Sequence, residues 1–453
     1  MSWHEHAIFW QVYPLGFLGA EPVLAEDQAV THRLPRLVDW LDYAVDLGVS
    51  GLLLGPVFTS YSHGYDTVDH FTIDPRLGDL DDFDALVAAA HARGLKVVLD
   101  GVFNHLGSRH PLVRAALGRP DAPEGGLFHL TWPAQGEPTY ATFEGHAGLV
   151  ALDHDAAAVA DLVGEVMRYW LGRGADGWRL DAAYAVPPAF WAQVLPGVRE
   201  QFPEAYVVGE VIHGDYAAVV AESGMDAVTQ YELWKAIWSS LNDRNLWELD
   251  HALGRHNDML ATFAPLTFVG NHDVTRLATQ LADHRHLPHA LVVLLTVGGT
   301  PSLYYGDEQG LTGLKEERLG GDDAIRQPFP AGPADLPDQG WPVYHLHQEL
   351  VALRRRHPWL HRARTRTLSL TNEVLAYEVA APQGPAAGRL VVVLNLADGE
   401  AEVAYEAAAD GEAQVAHEAA DGEAPAPLAV LAGHATVGDG LVRVPPHAWA
   451  VLG

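Results

Sequence analysis

The stretch Gly174-Ala-Asp-Gly-Trp-Arg-Leu-Asp-Ala-Ala-Tyr-Ala185 decides how this chain is read. Residues 175–180 form a short apolar run entered through Gly174, which predicts a buried strand with Asp181 at its C-terminal end. Side chains alternate along a strand, so Arg179 and Asp181 share one face. A guanidinium beside a carboxylate favours the ionised form. That is the form a carboxylate nucleophile needs. An ordinary ion pair at a strand end explains the two residues equally well. The rest of the chain has to decide between these readings.

Outward from this strand, short apolar runs alternate with amphipathic ones. Strands are expected at 7–13, 51–57, 95–100, 176–181, 206–210, 226–230, 266–270 and 302–305. Helices are expected at 34–47, 80–93, 156–171, 188–202, 216–223, 233–263, 286–297 and 343–356. Strands followed by helices imply parallel pairing through crossovers. Eight such units predict an α/β fold, a closed (β/α)₈ TIM barrel. An open doubly wound sheet is disfavoured, because no Gly-x-Gly-x-x-Gly turn follows the first strand.

Two segments interrupt the repeat. Residues 105–150, rich in Gly, Pro and aromatics, separate the third strand from its helix. A loop of that length in a compact enzyme is usually functional. Beyond about residue 367 the pattern becomes short strands with turns, at 373–379, 389–395, 414–417, 428–431 and 440–445. The expected layout is a barrel over 1–104 and 151–365, a short insertion over 105–150, and an antiparallel C-terminal β-sandwich over 366–453.

Composition narrows the chemistry. The 453 residues contain no cysteine, which removes disulfides, thiolate metal sites and cysteine nucleophiles. The net charge of −31 disfavours nucleic acid and anionic membranes as partners and suits a neutral substrate. The acidic run from Glu400 to Glu423 reads as solvated surface. There is no signal-like N-terminus and no apolar run of membrane-spanning length, so a cytoplasmic protein is expected.

In such a barrel, chemistry sits at the C-terminal ends of the strands. Those ends carry Asp100 and Asn104-His105, Arg179 and Asp181, Glu210, Asn271-His272-Asp273, and Asp307-Glu308. Several carboxyl groups with neutral donors, no thiol and no phosphate loop suit glycoside hydrolysis. One carboxylate must be ionised to attack the anomeric carbon, which Arg179 favours for Asp181. The other must hold a proton, which the apolar strand before Glu210 favours there.

The segments Asp100-Gly-Val-Phe-Asn-His105, Gly177-Trp-Arg-Leu-Asp181, Gly209-Glu-Val211 and Phe268-Val-Gly-Asn-His-Asp273 occur in order and at spacings that resemble the α-amylase family of retaining glycosidases. The resemblance covers the whole chain. It implies Asp181 as nucleophile, Glu210 as general acid/base and Asp273 as the third carboxylate, holding sugar hydroxyls in the distorted ring. It also implies Arg179 orienting the nucleophile, His105 and His272 bonding the sugar, Tyr65 stacking beneath it, and Asp100 supporting the barrel floor. Asp66 either caps a turn or, as in relatives that recognise chain ends, pairs with a late arginine, for which Arg326 is the candidate. No cofactor and no metal site is assigned. Asn104 has a counterpart that binds calcium in many secreted relatives, but the remaining oxygen ligands are not assignable. Trp132, Trp234, Trp238 and Trp341 read as sugar platforms or as ordinary packing.

One departure bears on substrate. Many starch-type relatives carry Lys-His where this chain has Tyr184-Ala185. Glu210-Val-Ile-His213 and Gly224-Met-Asp-Ala-Val-Thr-Gln-Tyr231 look instead like the cyclomaltodextrinase and neopullulanase branch. That branch usually carries an extra N-terminal β domain that helps it dimerise, whereas this chain starts at the first barrel strand, so both monomer and homodimer stay open. The expected activity is hydrolysis of α-1,4 bonds, with α-1,6 bonds also open, in short linear or cyclic maltooligosaccharides by double displacement. A transglycosylase using the same residues is the first alternative, and a non-catalytic glucan-binding homologue is a remote one.

Overall fold

The computed structural model describes residues 2–318, 320–404 and 428–453. The predicted strand at 414–417, and the acidic residues from Glu406 to Glu423, lie outside the described residues. Eight parallel strands form one sheet: β1 (Phe9–Val12), β2 (Gly51–Leu54), β3 (Lys96–Gly101), β4 (Gly177–Leu180), β5 (Tyr206–Gly209), β6 (Ala227–Val228), β7 (Leu266–Phe268) and β8 (Thr300–Tyr304). The spatial order runs β6-β5-β4-β3-β2-β1-β8-β7. A parallel bridge between Thr229 and Leu266, with Gln230 N–H donating to the Leu266 carbonyl at 2.9 Å, joins β6 to β7 and closes the ring. This is the TIM barrel. The strands are buried almost throughout, which is why they read as continuous apolar runs rather than alternating ones.

Local chemistry sets the helices. Asp79 and Asp82 form a reciprocal capping box at the start of Leu80–Ala92. Gly48, at φ 94°, ends Leu41–Leu47 in the left-handed conformation that glycine adopts without a Cβ penalty. The single helix expected over 233–263 is two, Tyr231–Asp243 and Leu246–Met259, because Arg244 turns left-handed at φ 49° between them. The insertion is anchored by an antiparallel pair, His105–Gly107 with Leu149–Ala151. A second hairpin, Phe58–Ser60 with Thr67–Ile73, follows β2 and carries Tyr65 and Asp66 in its turn. Fully buried Arg76 fixes that hairpin: it donates to Asp74 at 2.7 Å and to the Ser62 carbonyl at 2.8 Å.

The C-terminal region contains β9 (Arg364–Leu370), β10 (Val374–Ala380), β11 (Arg389–Asn395), β12 (Ala401–Ala404), β13 (Val430–Gly433), β14 (Thr436–Gly438), β15 (Leu441–Val444) and β16 (Trp449–Leu452). They form an antiparallel five-stranded sheet, β9-β10-β11-β16-β13, and a three-stranded one, β12-β15-β14. Strand alternation divides the larger sheet. Leu375, Tyr377, Val379, Leu390, Val392 and Leu394 join the barrel's core, while Ala376, Val391, Val393, Ala450 and Leu452 pack with Val403, Val442 and Val444 of the smaller sheet. No helix among the described residues is long and apolar enough to cross a membrane.

Candidate active site

The ends of β3, β4 and β5 and the loop after β7 deliver Asp100, Arg179, Asp181, Glu210 and Asp273 to one place. Arg179 is at its centre, almost fully buried. Its Nη1 donates to both Asp100 oxygens at 2.7 Å and to Asp181 Oδ1 at 3.2 Å. Its Nη2 lies 2.7 Å from Glu210 Oε1 and 4.0 Å from Asp273 Oδ2. One positive charge therefore serves four carboxyl groups.

This changes the protonation picture drawn from the sequence. The expectation was that Arg179 would keep Asp181 ionised. Instead, burial and the adjoining Glu210 charge push Asp181 well above the ordinary carboxylate range, outweighing Arg179. The physical reason is that Arg179 spends its shorter contacts on Asp100 and Glu210. Asp100, wholly buried, is pushed up to about 6 by desolvation despite that pairing. Donors converge on Glu210 as well: Ala182 N–H at 3.0 Å to Oε2 and the Tyr231 hydroxyl at 3.1 Å to Oε1. Ala182 makes its contact from a left-handed backbone, φ 45°, an unusual state for a residue with a Cβ.

Asp273 behaves oppositely. Burial works upward, but His272, Arg326, Arg179 and Lys315 outweigh it and hold the carboxyl well below the ordinary range. Arg326 Nη2 donates to Asp273 Oδ1 at 2.7 Å, and His272 Nε2 lies 3.0 Å from Oδ2. His272 is itself driven down to about 3, first by burial, so it is a neutral donor at physiological pH and the cations carry the effect.

Other expected residues fall into two groups. Tyr65 lies parallel to His272, ring centroids 5.6 Å apart, donates to Asp100 Oδ2 at 3.2 Å and touches His272 Nε2 through its hydroxyl. His105 is present but occupied. Its Nε2 meets the Tyr65 carbonyl at 3.0 Å, its Nδ1 meets the Asn104 amide at 3.1 Å, and its ring stacks on Phe143 at 4.9 Å. The Asp66–Arg326 pairing is not made. Asp66 accepts from Ser62 N–H at 3.0 Å and Ser62 Oγ at 2.7 Å, which is turn capping, and Arg326 is taken by Asp273, Asp322 and the His272 carbonyl. A cleft of 460 Å³ opens beside this turn, lined by His63, Asp66, Arg109 and His146 among others. Trp234 and Trp238 pack on each other, and Trp234 on Phe268, while Trp341 packs on Tyr344.

Residues 27–336 match the family described as alpha amylase, catalytic domain. The chain belongs to the α-amylase family. It is 30% identical over 428 residues to a cyclomaltodextrinase of Geobacillus thermopakistaniensis, a match covering 89% of this chain and 71% of that one. It is 29% identical over 334 residues to an intracellular maltogenic amylase of Bacillus subtilis, covering 69% of this chain and 57% of that relative. The solved cyclic alpha-maltosyl-(1→6)-maltose hydrolase of Arthrobacter globiformis superposes with a TM-score of 0.80 at 25% identity, covering 100% of this chain and 99% of that one.

This α-amylase-family site also contains residues to which the sequence reading gave no role of their own. Tyr231 bonds Glu210 and accepts from Asn271 Nδ2 at 3.0 Å, and Asn271 Oδ1 accepts from Asp273 N–H at 2.8 Å, so one chain of polar groups links the Glu210 carboxyl to the Asp273 backbone. Gln11 at the end of β1 lies 3.2 Å from His272 Nδ1 and fixes that ring. Tyr13 stacks on His272 at 5.8 Å and lies under Arg326 at 4.8 Å. Position was the available signal: all of these stand at the C-terminal ends of barrel strands. Tyr184, where the chain leaves the starch-type pattern, donates its hydroxyl to Glu144 Oε1 at 2.8 Å and so ties the insertion to the loop after β4.

Proposed function

We propose that this chain is a retaining α-glucoside hydrolase that cleaves α-1,4 bonds, and α-1,6 bonds where they join maltosyl units, in short linear or cyclic maltooligosaccharides. The observation that carries this is Arg179 contacting Asp181 and Glu210 with one guanidinium. Sharing one planar group favours a carboxyl separation of about 5–5.5 Å, the retaining spacing, over the wider gap that admits a water between them.

In this reading Asp181 attacks the anomeric carbon while Glu210 protonates the departing glycosidic oxygen. Water, losing its proton to Glu210, then releases the sugar from the Asp181 ester. Asp273, ionised and held from two sides, binds hydroxyls of the distorted ring. In the substrate-free geometry burial and the adjoining Glu210 charge raise Asp181. Asp181 must be ionised to attack, and Arg179, which touches both carboxyl groups, is the cation placed to favour that form. The tie between Tyr184 and Glu144 shapes the leaving-group side.

Cyclic substrates are favoured by the relatives named for cyclomaltodextrins and cyclic maltosyl-maltose, the latter similar over its full length. A cytoplasmic role on imported oligosaccharides is supported by the relative named an intracellular maltogenic amylase. The proposal makes no use of nucleic acid or of a cofactor, and it holds for a monomer or a homodimer. The test is a panel of maltotriose, cyclomaltodextrins, cyclic maltosyl-maltose, pullulan and isomaltose, with product size and first-formed anomer followed by NMR. Release of α-anomers from the cyclic substrates is expected, with losses of about 10³-fold or more in Asp181→Asn and Glu210→Gln. β-Anomers, or unchanged rates in either variant, would overturn the reading. Products longer than the substrate would reassign the chain as a transglycosylase.

A further inference from the structure

A neutral imidazole carries one N–H, on one of two nitrogens, and the choice decides what it offers a ligand. His272 is 1% exposed, so its ring meets protein groups at both ends. Nε2 lies 3.0 Å from Asp273 Oδ2 and touches the Tyr65 hydroxyl. Nδ1 lies 3.2 Å from the side-chain nitrogen of Gln11. Burial keeps the ring neutral, and Arg179, Arg326 and Lys315 act in the same direction against the opposing charge of Asp273.

We propose that Gln11 is a positioning residue: by donating its amide N–H to His272 Nδ1, it confines the ring's hydrogen to Nε2, beside the Asp273 carboxylate. Both ends of the ring require this. An ionised carboxylate only accepts. A bare Nε2 at 3.0 Å from Asp273 Oδ2 would set two lone pairs against each other, so Nε2 carries the hydrogen. Nδ1 is then a buried acceptor, and leaving one unpaired costs more than the bond itself contributes. The Gln11 amide is the group that meets it, with its NH2 rather than its oxygen toward the ring. Tyr65 runs in the same direction. Its hydroxyl donates to Asp100 Oδ2 at 3.2 Å, which leaves its oxygen to accept from Nε2.

Gln11 is held firmly enough for the task. It is 5% exposed and lies within β1, opposite Leu53 of β2 and Tyr304 of β8. Its carbonyl accepts from Tyr305 N–H at 2.9 Å. Tyr13, two residues on, lies within 8° of parallel to the His272 ring. An amide suits the place because it supplies a donor without adding charge. The position of the hydrogen also bears on substrate. Nε2–H beside ionised Asp273 Oδ2 presents one donor and one acceptor side by side, and a sugar hydroxyl, itself one donor and an acceptor, satisfies both. With the hydrogen on Nδ1, the same hydroxyl would face two acceptors with one hydrogen to give. That match rests on the grip proposed for Asp273 on sugar hydroxyls, whereas the tautomer does not.

The test is long-range proton–nitrogen NMR of the substrate-free full chain, labelled with nitrogen-15 at its histidine rings, with His272 identified by the signals lost in His272→Asn. A protonated Nε2 and an unprotonated Nδ1, unchanged between about pH 5.5 and 8, are expected. Gln11→Met keeps the length and removes the donor. It should mix the two tautomers and lower kcat/KM on maltotriose about 10–100-fold. Gln11→Glu keeps the shape. Its carboxyl donates to Nδ1 when protonated and draws the hydrogen to Nδ1 when ionised. Its kcat/KM should therefore approach the wild type in acid and fall as pH rises, earlier than in the wild type. The other groups facing the ring, Arg179, Arg326, Lys315, Asp273, Tyr13 and Tyr65, are common to both proteins. A hydrogen on Nδ1 in the wild type, or wild-type ring signals in Gln11→Met, would overturn the proposal. So would a pH profile of Gln11→Glu that parallels the wild type. The ring signals are read without substrate, so they decide the tautomer whatever the substrate panel shows.

Discussion

Replacing Arg326 by methionine separates two accounts of what that residue does. From the sequence, its expected partner was Asp66. In the structure it donates to Asp273 Oδ1 at 2.7 Å and to the His272 carbonyl at 2.8 Å, with a side chain only 10% exposed. Methionine keeps the bulk over Tyr13 and removes the charge. A hydrogen bond between charged groups contributes about 1.5–3 kcal/mol. Asp273 is partly open to solvent and keeps Arg179 and Lys315 nearby, so the lower half of that range applies. At 1.36 kcal/mol per decade, kcat/KM should fall about 10–30-fold. The pH dependence gives the sharper test. In the wild type Asp273 is held below its ordinary value and stays ionised in mild acid. Losing Arg326 raises it, so the acid-side fall of kcat/KM should set in at higher pH than in the wild type. Stability should follow the same sign. A depressed carboxylate contributes stability above its unfolded pKa of about 3.9, and that contribution is lost as pH falls through the lower folded value. The wild-type advantage over Arg326→Met should therefore be full at neutral pH and shrink in acid, once the pH falls below the value Asp273 takes in the variant. The assay is kcat/KM on maltotriose from pH 3.5 to 8, with urea midpoints over the same range. Asp66→Asn is the control, and less than about threefold loss is expected because its contacts are a turn cap. An unmoved acid limb in Arg326→Met, or an equal loss in Asp66→Asn, would refute the reasoning.

Three further outcomes follow from other contacts. Tyr184→Phe removes the tie to Glu144, which lies at the surface, so KM for cyclic substrates should rise about two- to fivefold with kcat nearly unchanged, read from initial rates. Glu308 is wholly buried and pushed up to about 7 by desolvation. Its contribution to stability is therefore present below the unfolded carboxyl value and lost as pH rises through about 7, and Glu308→Gln should flatten the fall in urea midpoint between about pH 4.5 and 7. Ala182→Gly relieves the left-handed strain beside Asp181 while keeping the N–H donated to Glu210, so it should stabilise the fold by about 0.5–1 kcal/mol in urea unfolding with hydrolysis kept within about twofold.

The barrel was legible because each of its strands is a buried apolar run that ends in polar residues, a pattern that needs no knowledge of neighbours. β9 was not read as a strand. Its Arg and Thr residues lie at a sheet edge, largely exposed, so no apolar alternation marks where it begins. The break at Arg244 was missed because Asp-Arg-Asn inside an otherwise helical pattern carries no glycine or proline. Among site residues, Asp181, Glu210 and Asp273 stood out as charged groups at strand ends. Tyr231 did not, since β6 is two residues long and a tyrosine at a helix start reads as core. Which carboxylate Arg326 meets depends on how loops 61–66 and 311–330 fold over the barrel mouth. Nothing local encodes that choice. The protonation of Asp181 failed for the same reason, because Arg179 on its own strand predicts one partner and the closed ring supplies four.

The ring of strands is not equally tight all round. β4 matches four residues with β3 on one side and four with β5 on the other, whereas β6 matches two with β5 and meets β7 through one bridge. Asp181 therefore rides on a strand held by four residues along each edge, and Glu210 on one held by four along one edge and two along the other. Amide exchange should be slowest under the first and fastest along the seam beside the second, where local opening breaks the fewest ladder bonds. The proposed nucleophile, which must meet one carbon in one orientation, stands on the stiff stave. The proposed acid/base, which gives a proton to one oxygen and then takes one from another, stands next to the loose one.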